Sequence, residues 1–482
     1  MSKPSGNLSF IVVGASGDLA RKKVFPALFA LYCQGYLPQG FSAFGFARSK
    51  LSVAEFRHRI MENLTCRYTP GESCAQYMEE FLARCHYTSG EYASSDSFLD
   101  LFTTMREMEA SRSANRFYYL AIPPSLFLDV VHALGDAGLV SCTEDMPWSR
   151  VVIEKPFGRD RRSSDALTEA ISKVFVEDQI YRIDHYLGKE VIQNLLVLRF
   201  ANTVFQPLWN RDFIHSVRIL WKEDLGLEGR GGYFDQYGII RDVMQNHLLQ
   251  ILALIAMEPP SRLEAANIAR EKVNVLRSIA PLTLDNLVIG QYGASVRAGR
   301  HLPAYVDDET VADDSITPTY AAARLVIDNP RWQGVPFLIE AGKGLNARMT
   351  EIRIRFRDVP GNMFCQQNRC PEANELVVRV QPDEAIHLSI VGKVPGMGIT
   401  LQPTSLNMLY TAAFAEQIPD AYESLLLDAI SGDKSLFIRN DELQAAWDVF
   451  TPALHEIESR NLVPEPYAFG STGPTAAKSL LA

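Results

Sequence analysis

Basic residues are in deficit in this 482-residue sequence, where 47 lysines and arginines face 57 acidic residues for a net charge of −10. A chain of that sign lacks the electrostatic footprint of a general nucleic-acid binder, so an anionic ligand would need a locally basic pocket. Cysteine is sparse as well. The seven present form no Cys-x-x-Cys pair, which gives no metal or disulfide framework and makes reduced thiols the expectation. No apolar run is long enough to span a bilayer, and the polar lead-in Met1–Asn7 has no signal-like apolar core. The ending Leu480-Leu481-Ala482 is not a peroxisomal address. Internal repeats and low-complexity tracts are also missing. These absences together lead us to expect a cytoplasmic protein with no nucleic-acid or membrane partner and no metal site.

What is present is ordinary globular composition, 47% hydrophobic and 22% charged, at a length that calls for two domains. The apolar run Leu8–Val13 ends in Gly14, Ala15, Ser16, Gly17, Asp18, Leu19, Ala20 and Arg21. Val24, Leu28 and Leu31 then recur at helical spacing. Strand, glycine turn and helix are the context in which glycines let a backbone approach a pyrophosphate at a helix N-terminus. The spacing is G-x-x-G-x-x-A, which also occurs as a plain turn. The strand Phe41–Ala47 ends at Arg48, where NAD sites carry an acidic residue. A guanidinium there suits the 2′-phosphate of NADP. Residues 51–115 read as mostly helical, with a polar interruption from Tyr87 to Ser97. Strand-like runs follow at Arg116–Ile122 and Arg150–Ile153, the second ending in Glu154-Lys155-Pro156-Phe157-Gly158. Lys155 at such a strand end points to where ligands sit in parallel sheets.

The densest stretch of chemistry is Asp184-His185-Tyr186-Leu187-Gly188-Lys189-Glu190. A helix starting near Asp184 would put His185 and Lys189 on one face with Tyr186 beside them. Ring, ammonium and hydroxyl would then converge at a helix N-terminus, a setting for a phosphate monoester. A capped helix with a solvated Lys189 is the plain alternative. Further on, Arg241–Gln250 opens a helix whose apolar side carries His247, a position that more often holds a packed core histidine. Beyond about Glu271, strand runs alternate with turns: Ala322–Ile327, Phe337–Ala341, Glu351–Phe356, Glu375–Val380 and Ile386–Val391. They suggest a large, mostly antiparallel sheet with helices on one face.

The seven-residue stretch 184–190 resembles the active-site motif of the glucose-6-phosphate dehydrogenases. The resemblance extends through Glu-Lys-Pro-Phe-Gly at 154–158, residues 342–348 and Arg379–Pro382, and covers nearly the whole chain, with breaks in 60–115 and 261–320. It implies an NADP-dependent enzyme that oxidises glucose 6-phosphate at C1. By it, His247 takes the C1 hydroxyl proton and Asp184 orients its ring. His185, Tyr186 and Lys189 hold the phosphate, and Lys155 contacts sugar phosphate and cofactor. Glu223, Asp242, Lys343, Arg348 and Gln381 complete the sugar site. The expected architecture is a doubly wound parallel NADP-binding sheet over 1–183, then an α+β domain over 184–482 that binds sugar phosphate and forms a homodimer or homotetramer through its sheet. Rival readings are a sugar dehydrogenase of the glucose–fructose oxidoreductase type and a non-catalytic NADP-binding regulator. Animal members of the family carry a second, structural NADP against the large sheet. Here Arg353 and Arg379 match that pattern, but Glu340, Met349, His387, Ser389 and Thr472 stand where those members have arginine, lysine or tyrosine. One NADP per chain is therefore expected.

Overall fold

A computed structural model describes residues 6–68, 71–109, 113–141, 147–297, 299–365, 370–414 and 417–481. Strand β1 (Asn7–Val13) is buried from Leu8 onward, as a central parallel strand must be when helices cover both faces. Around it lie β2 (Gly40–Ala47), β3 (Cys85–Ser89), β4 (Ala114–Leu120), β5 (Ser149–Glu154) and β6 (Ile180–Ile183). All are parallel, in the order β3-β2-β1-β4-β5-β6. This is the doubly wound arrangement, whose ligands sit beyond the C-terminal strand ends. Residues 51–115 are mostly helical, as expected, through the helices Val53–Met61, Glu72–Ala83 and Ser95–Glu109; β3 among them was not foreseen, because five residues at a sheet edge are too few to show a period of two.

The chain then forms β7 (Ile214–Lys222), β8 (Leu287–Gly293), a small ribbon of β9 (Ser295–Arg297) and β10 (Arg300–Leu302), and β11 (Tyr320–Val326). It continues through β12 (Pro336–Gly342), β13 (Met349–Phe356), β14 (Glu375–Gln381), β15 (Ala385–Lys393), β16 (Leu401–Leu409), β17 (Phe437–Ile438) and β18 (Glu465–Ala468). Nine of these make a second sheet, ordered β16-β15-β14-β13-β7-β12-β11-β8-β18. Only β7–β12 and β8–β18 run parallel; the other neighbours are antiparallel. The expectation of a parallel sheet followed by a large, mostly antiparallel one holds. Side chains of β7 and β11–β14 share one core with the helices Glu190–Phe200 and Leu249–Ala256.

Residues 421–438 return to the first sheet. The helix Ala421–Ser431 is capped by Asp420, whose carboxylate accepts from the Tyr422 N–H. It buries Leu425, Leu426 and Ala429 in the same core as Phe10, Phe25 and Phe29. Strand β17 then pairs antiparallel with β6 at the sheet edge. The expectation of reduced thiols fails at four positions, since Cys66–Cys74 and Cys365–Cys370 are disulfide-paired. The paired cysteines stand eight and five positions apart in sequence, and spacing alone does not reveal that they meet. No helix among the described residues is long and apolar enough to cross a membrane.

Gly14 is the tightest point of the β1 turn. Its φ is +89°, and a Cβ there would lie 2.3 Å from the Ala121 carbonyl oxygen. Backbone strain of that kind costs about 1–3 kcal/mol before the clash is counted. Gly14→Ala is therefore expected to lower the thermal midpoint and weaken NADP binding at least tenfold, roughly the equivalent of 1.4 kcal/mol. Thermal unfolding with and without nucleotide checks both; an unaltered nucleotide-induced shift would contradict it.

Candidate active site

The first half of the site is the turn after β1. Gly14 and Ala15 donate their N–H groups to the Phe46 carbonyl, and Gly17 to that of Gly14. A helix follows from Asp18, so its N-terminus opens at the C-terminal edge of the sheet, where a pyrophosphate gains most. Ala15 and Ala20 are buried and serve packing, while Leu19 packs against the same core. Asp18 binds Arg21 at 2.6 Å and Lys22 at 2.8 Å, and those two cations hold its carboxyl below the usual range. Arg48 is exposed just past β2, its guanidinium 5.3 Å from the Tyr92 ring. The adjoining Ser49 hydroxyl meets that of Ser16 at 3.1 Å. The glycine turn and the strand end that carries Arg48 therefore meet. A turn with no room for a Cβ at Gly14, a helix start and a free guanidinium fit a dinucleotide carrying a 2′-phosphate.

The second half begins where β6 ends. Asp184 is 2% exposed, and its Oδ1 lies 2.5 Å from His247 Nδ1 and accepts from the Tyr186 N–H. Burial opposes the charged carboxylate, yet the His247 charge and hydrogen bond outweigh it and hold the carboxyl at about 2. Burial pulls His247 below its ordinary value, against the raising pull of Asp184. The ring is thus neutral near pH 7, with Nδ1 directed at a carboxylate and Nε2 left as a proton acceptor. The Tyr186 ring stacks on His247 at 4.4 Å, and His185 meets it edge-on at 4.7 Å. Asp184, His185 and His247 are also the trio among the described residues whose ligand atoms lie within 4.8 Å of one another. The direct Asp184–His247 bond fills the place a cation would need, so we read a proton-handling pair.

His247 sits on a π-wound helix, Ile240–Leu248, that runs into the helix Leu249–Ala256. Local π winding recurs at functional sites. One turn earlier, Asp242 pairs with Lys155 at 3.0 Å, so the end of β5 and this helix are joined by charge. Across the site Lys343 pairs with Glu223 at 2.5 Å, joining the ends of β12 and β7. Two ion pairs thus flank the dyad.

The expected helix start at Asp184 is wrong in detail. Residues 184–189 form turns, and the helix begins at Glu190 with Lys189 as its N-cap. The Asp184 carboxylate bonding the Tyr186 N–H makes a local turn that competes with helix. Lys189 still reaches the same place, its ammonium 5.2 Å from the Tyr186 ring. Burial lowers its pKa, against Glu384 and Asp420, which favour the charge. His185 is pushed well below its usual value, by burial first and then by the neighbouring His247. The Tyr186 hydroxyl accepts from Trp221 Nε1 at 2.6 Å and lies 3.5 Å from Thr350 Oγ1. Gln381 pairs with Thr350 in the sheet register, and Arg348 is exposed nearby, acting electrostatically on Lys189. Of the sequence candidates, Arg348 and Gln381 are the least engaged.

Several residues of the site wall escaped the sequence reading. Trp221 and Thr350 hold the Tyr186 hydroxyl. Tyr119 donates to the buried Glu154 at 2.5 Å, and Tyr422 lies parallel to the His185 ring at 6.3 Å. Lys23 pairs with Asp420 at 3.2 Å; the basic run 21–23 after the glycine turn was its one visible signal.

Two sequence families match the chain end to end: "Glucose-6-phosphate dehydrogenase, NAD binding domain" over residues 11–194 and "Glucose-6-phosphate dehydrogenase, C-terminal domain" over 196–482. The chain belongs to the glucose-6-phosphate dehydrogenase family. It is 55% identical to glucose-6-phosphate 1-dehydrogenase 1, chloroplastic, of Arabidopsis thaliana, covering 100% of this chain and 83% of that one. With the Dictyostelium discoideum enzyme identity is 48%, over 98% and 93%. Among solved structures, a glucose-6-phosphate dehydrogenase in complex with its substrate superposes with a TM-score of 0.92 at 43% identity, over 100% and 98%. A glucose-6-phosphate 1-dehydrogenase from Mycobacterium avium gives 0.84 at 34%, over 100% and 97%.

For a member of this family the other face of the large sheet matters, because of the expectation of a single nucleotide. Alternation along β7 turns Trp221 toward the dyad and Lys222 to the far side. There a cleft of about 690 Å³ is lined by Arg218, Lys222, Arg324, Arg353, Arg355 and Arg357, among others. Most of these cations are already engaged. Glu340, 1% exposed, binds Arg218 at 2.6 Å and Lys222 at 3.4 Å. Glu351 and Glu375 hold Arg353 at 2.7 and 3.0 Å, and Arg357 donates to the Arg211 carbonyl at 2.8 Å. A nucleotide would have to displace internal carboxylates. Calorimetric titration of nucleotide-free protein with NADP is expected to give one tight site per chain; a stoichiometry of two would contradict it.

Proposed function

We propose that this chain is an NADP-dependent glucose-6-phosphate 1-dehydrogenase, oxidising C1 of glucose 6-phosphate to 6-phosphogluconolactone at the entry of the pentose phosphate pathway. The observation that carries the mechanism is the buried Asp184–His247 pair set beside His185 and Lys189. His247 Nε2 takes the proton of the C1 hydroxyl, while Asp184 fixes the tautomer and stabilises the imidazolium that forms. NADP, when bound, would supply the hydride acceptor for C1. Gly14, Ala15, Ser16, Gly17, Asp18, Leu19, Ala20 and Arg21 would cradle the nucleotide, with Arg48 for its 2′-phosphate and Lys155 for its reacting end.

His185, Tyr186 and Lys189 grip the sugar phosphate, with Arg348 at its edge. Glu223, Asp242, Lys343 and Gln381 orient the ring, and Lys155 moves between Asp242 and the sugar. Binding energy from the phosphate, remote from C1, positions the reacting carbon. An unphosphorylated sugar would leave His185 and Lys189 with no phosphate to bind, which disfavours the glucose–fructose oxidoreductase reading. A non-catalytic regulator would have no use for a buried base.

We further propose a homodimer or homotetramer formed through the large sheet. β16 is an edge strand of that sheet. Leu406 on it, with Met397 and Ile399 just before it, is strongly exposed, and an unpaired edge carrying such side chains suits a subunit contact. A cytoplasmic location is the reading we keep. Chloroplastic and cytoplasmic enzymes both stand among the relatives, and cell fractionation decides between the compartments.

His247→Asn keeps the ring's approximate shape without a basic nitrogen. Its kcat is expected to fall by roughly 10²–10⁴ with KM little changed. In the wild type, the acid limb of kcat/KM should lie below pH 6.5, because the histidine must be neutral and its pKa is depressed. A near-wild-type kcat in the variant would remove His247 from the mechanism. Lys189→Ala should raise KM for glucose 6-phosphate and erode its preference over glucose. Retained discrimination between the two sugars would refute the phosphate assignment.

A further inference from the structure

The 184–189 turn is packed closely against a segment that belongs to neither of the two motifs. Gly188 leaves no space above it: a Cβ there would sit 2.5 Å from the Ala421 carbonyl and 2.9 Å from Leu425 Cγ. The first turn of the helix Ala421–Ser431 is therefore the lid of that loop. Its Asp420 cap bonds Lys23 at 3.2 Å and acts electrostatically on Lys189. Tyr422 lays its ring parallel to that of His185. A small rotation of this turn would move His185 and Lys189 together.

The same turn is gripped from the opposite side by residues between the helices Val53–Met61 and Glu72–Ala83. Glu423, 4% exposed, accepts from Arg67 Nη1 at 3.2 Å and from the Tyr68 hydroxyl at 2.5 Å. Arg67 Nη2 also donates to the Ile418 carbonyl. A buried carboxylate costs several kcal/mol unless its partners stay in place, so the three side chains act as a rigid clamp. Glu423 touches neither His185 nor Lys189; it fixes the backbone that does.

We propose that Glu423, held by Arg67 and Tyr68, is a positioning residue for the sugar-phosphate pocket, acting through Tyr422 and Asp420 on His185 and Lys189. The inference rests on the assignment of the phosphate to those two residues. Glu423→Gln keeps the shape and removes the charge that holds Arg67, and Tyr68→Phe removes one hydroxyl without changing the charge.

In the full-length enzyme, each variant is expected to raise KM for glucose 6-phosphate about tenfold, the equivalent of one lost charged contact. KM for free glucose and for NADP should stay within about twofold, and kcat within about threefold. The double variant should be no worse than Glu423→Gln alone, because both changes break one clamp. A merely structural defect would move all three KM values together, and that result overturns the proposal. So does a KM for glucose 6-phosphate within twofold of wild type in both variants. Lys189→Ala separates the two ideas. Unchanged sugar discrimination there removes the phosphate assignment; a strong effect there with none in Glu423→Gln and Tyr68→Phe removes only the clamp.

Discussion

Two ionisable side chains, each about 2% exposed, meet at 2.5 Å where the two sheets join. Asp184 closes β6 of the first sheet; His247 rides on the helix that underlies the second. Burying either group alone costs several kcal/mol, so each is tolerable only in register with the other. That requirement ties the docking of the two sheets to a tolerance of a few tenths of an ångström. The Lys155–Asp242 pair repeats the constraint one turn away, between the end of β5 and the same helix. Electrostatics needed for a base thereby double as the bolts of the interface.

A helix that must hold a base so closely cannot fray. The buried C-terminal carbonyls around Leu249–Ala256 have no intrahelical partners, as at any helix end. Here side chains supply them. Arg199 donates to the Leu254 and Met257 carbonyls at 2.5 and 2.6 Å, and Trp209 and Trp332 to those of Ile255 and Ala256, both at 2.8 Å. Burial draws the Arg199 pKa down to about 9, still high enough for it to stay charged at neutral pH. The segment 421–438 adds a tie from the far end of the chain. It inserts a helix into the first sheet's core and its first turn over the 184–189 loop.

The second sheet carries opposite duties on its two faces. Its inner face buries apolar side chains against the helix that carries His247 and sends Trp221 to the Tyr186 hydroxyl. Its outer face is rich in guanidinium groups, and internal carboxylates engage part of them: Glu340 holds Arg218 together with Lys222, and Glu351 holds Arg353. Alternation along a strand makes this possible, since adjacent residues belong to different environments. Lys222 and Glu223 are neighbours in sequence, yet one pairs with Glu340 and the other with Lys343.

Local sequence by itself determined a good deal. The apolar run before Gly14 and the alternating runs of the second half set both sheets, because burial on one or two faces dictates their periods. The motif 184–190 named the family, and glycine at 14 was needed wherever the strand turned so tightly. Other features required the folded chain. Short β3 and β17 carry too few residues for a period to show. The turn at 184–189 displaced an expected helix because a carboxylate bonded the backbone two residues on. His247 was indistinguishable from a core histidine until Asp184, 63 residues away, lay against it. The clamp on Glu423 spans 355 residues from Tyr68. Such pairings are invisible in sequence for one reason: the energy that makes a buried charge functional comes from a partner brought near only by folding.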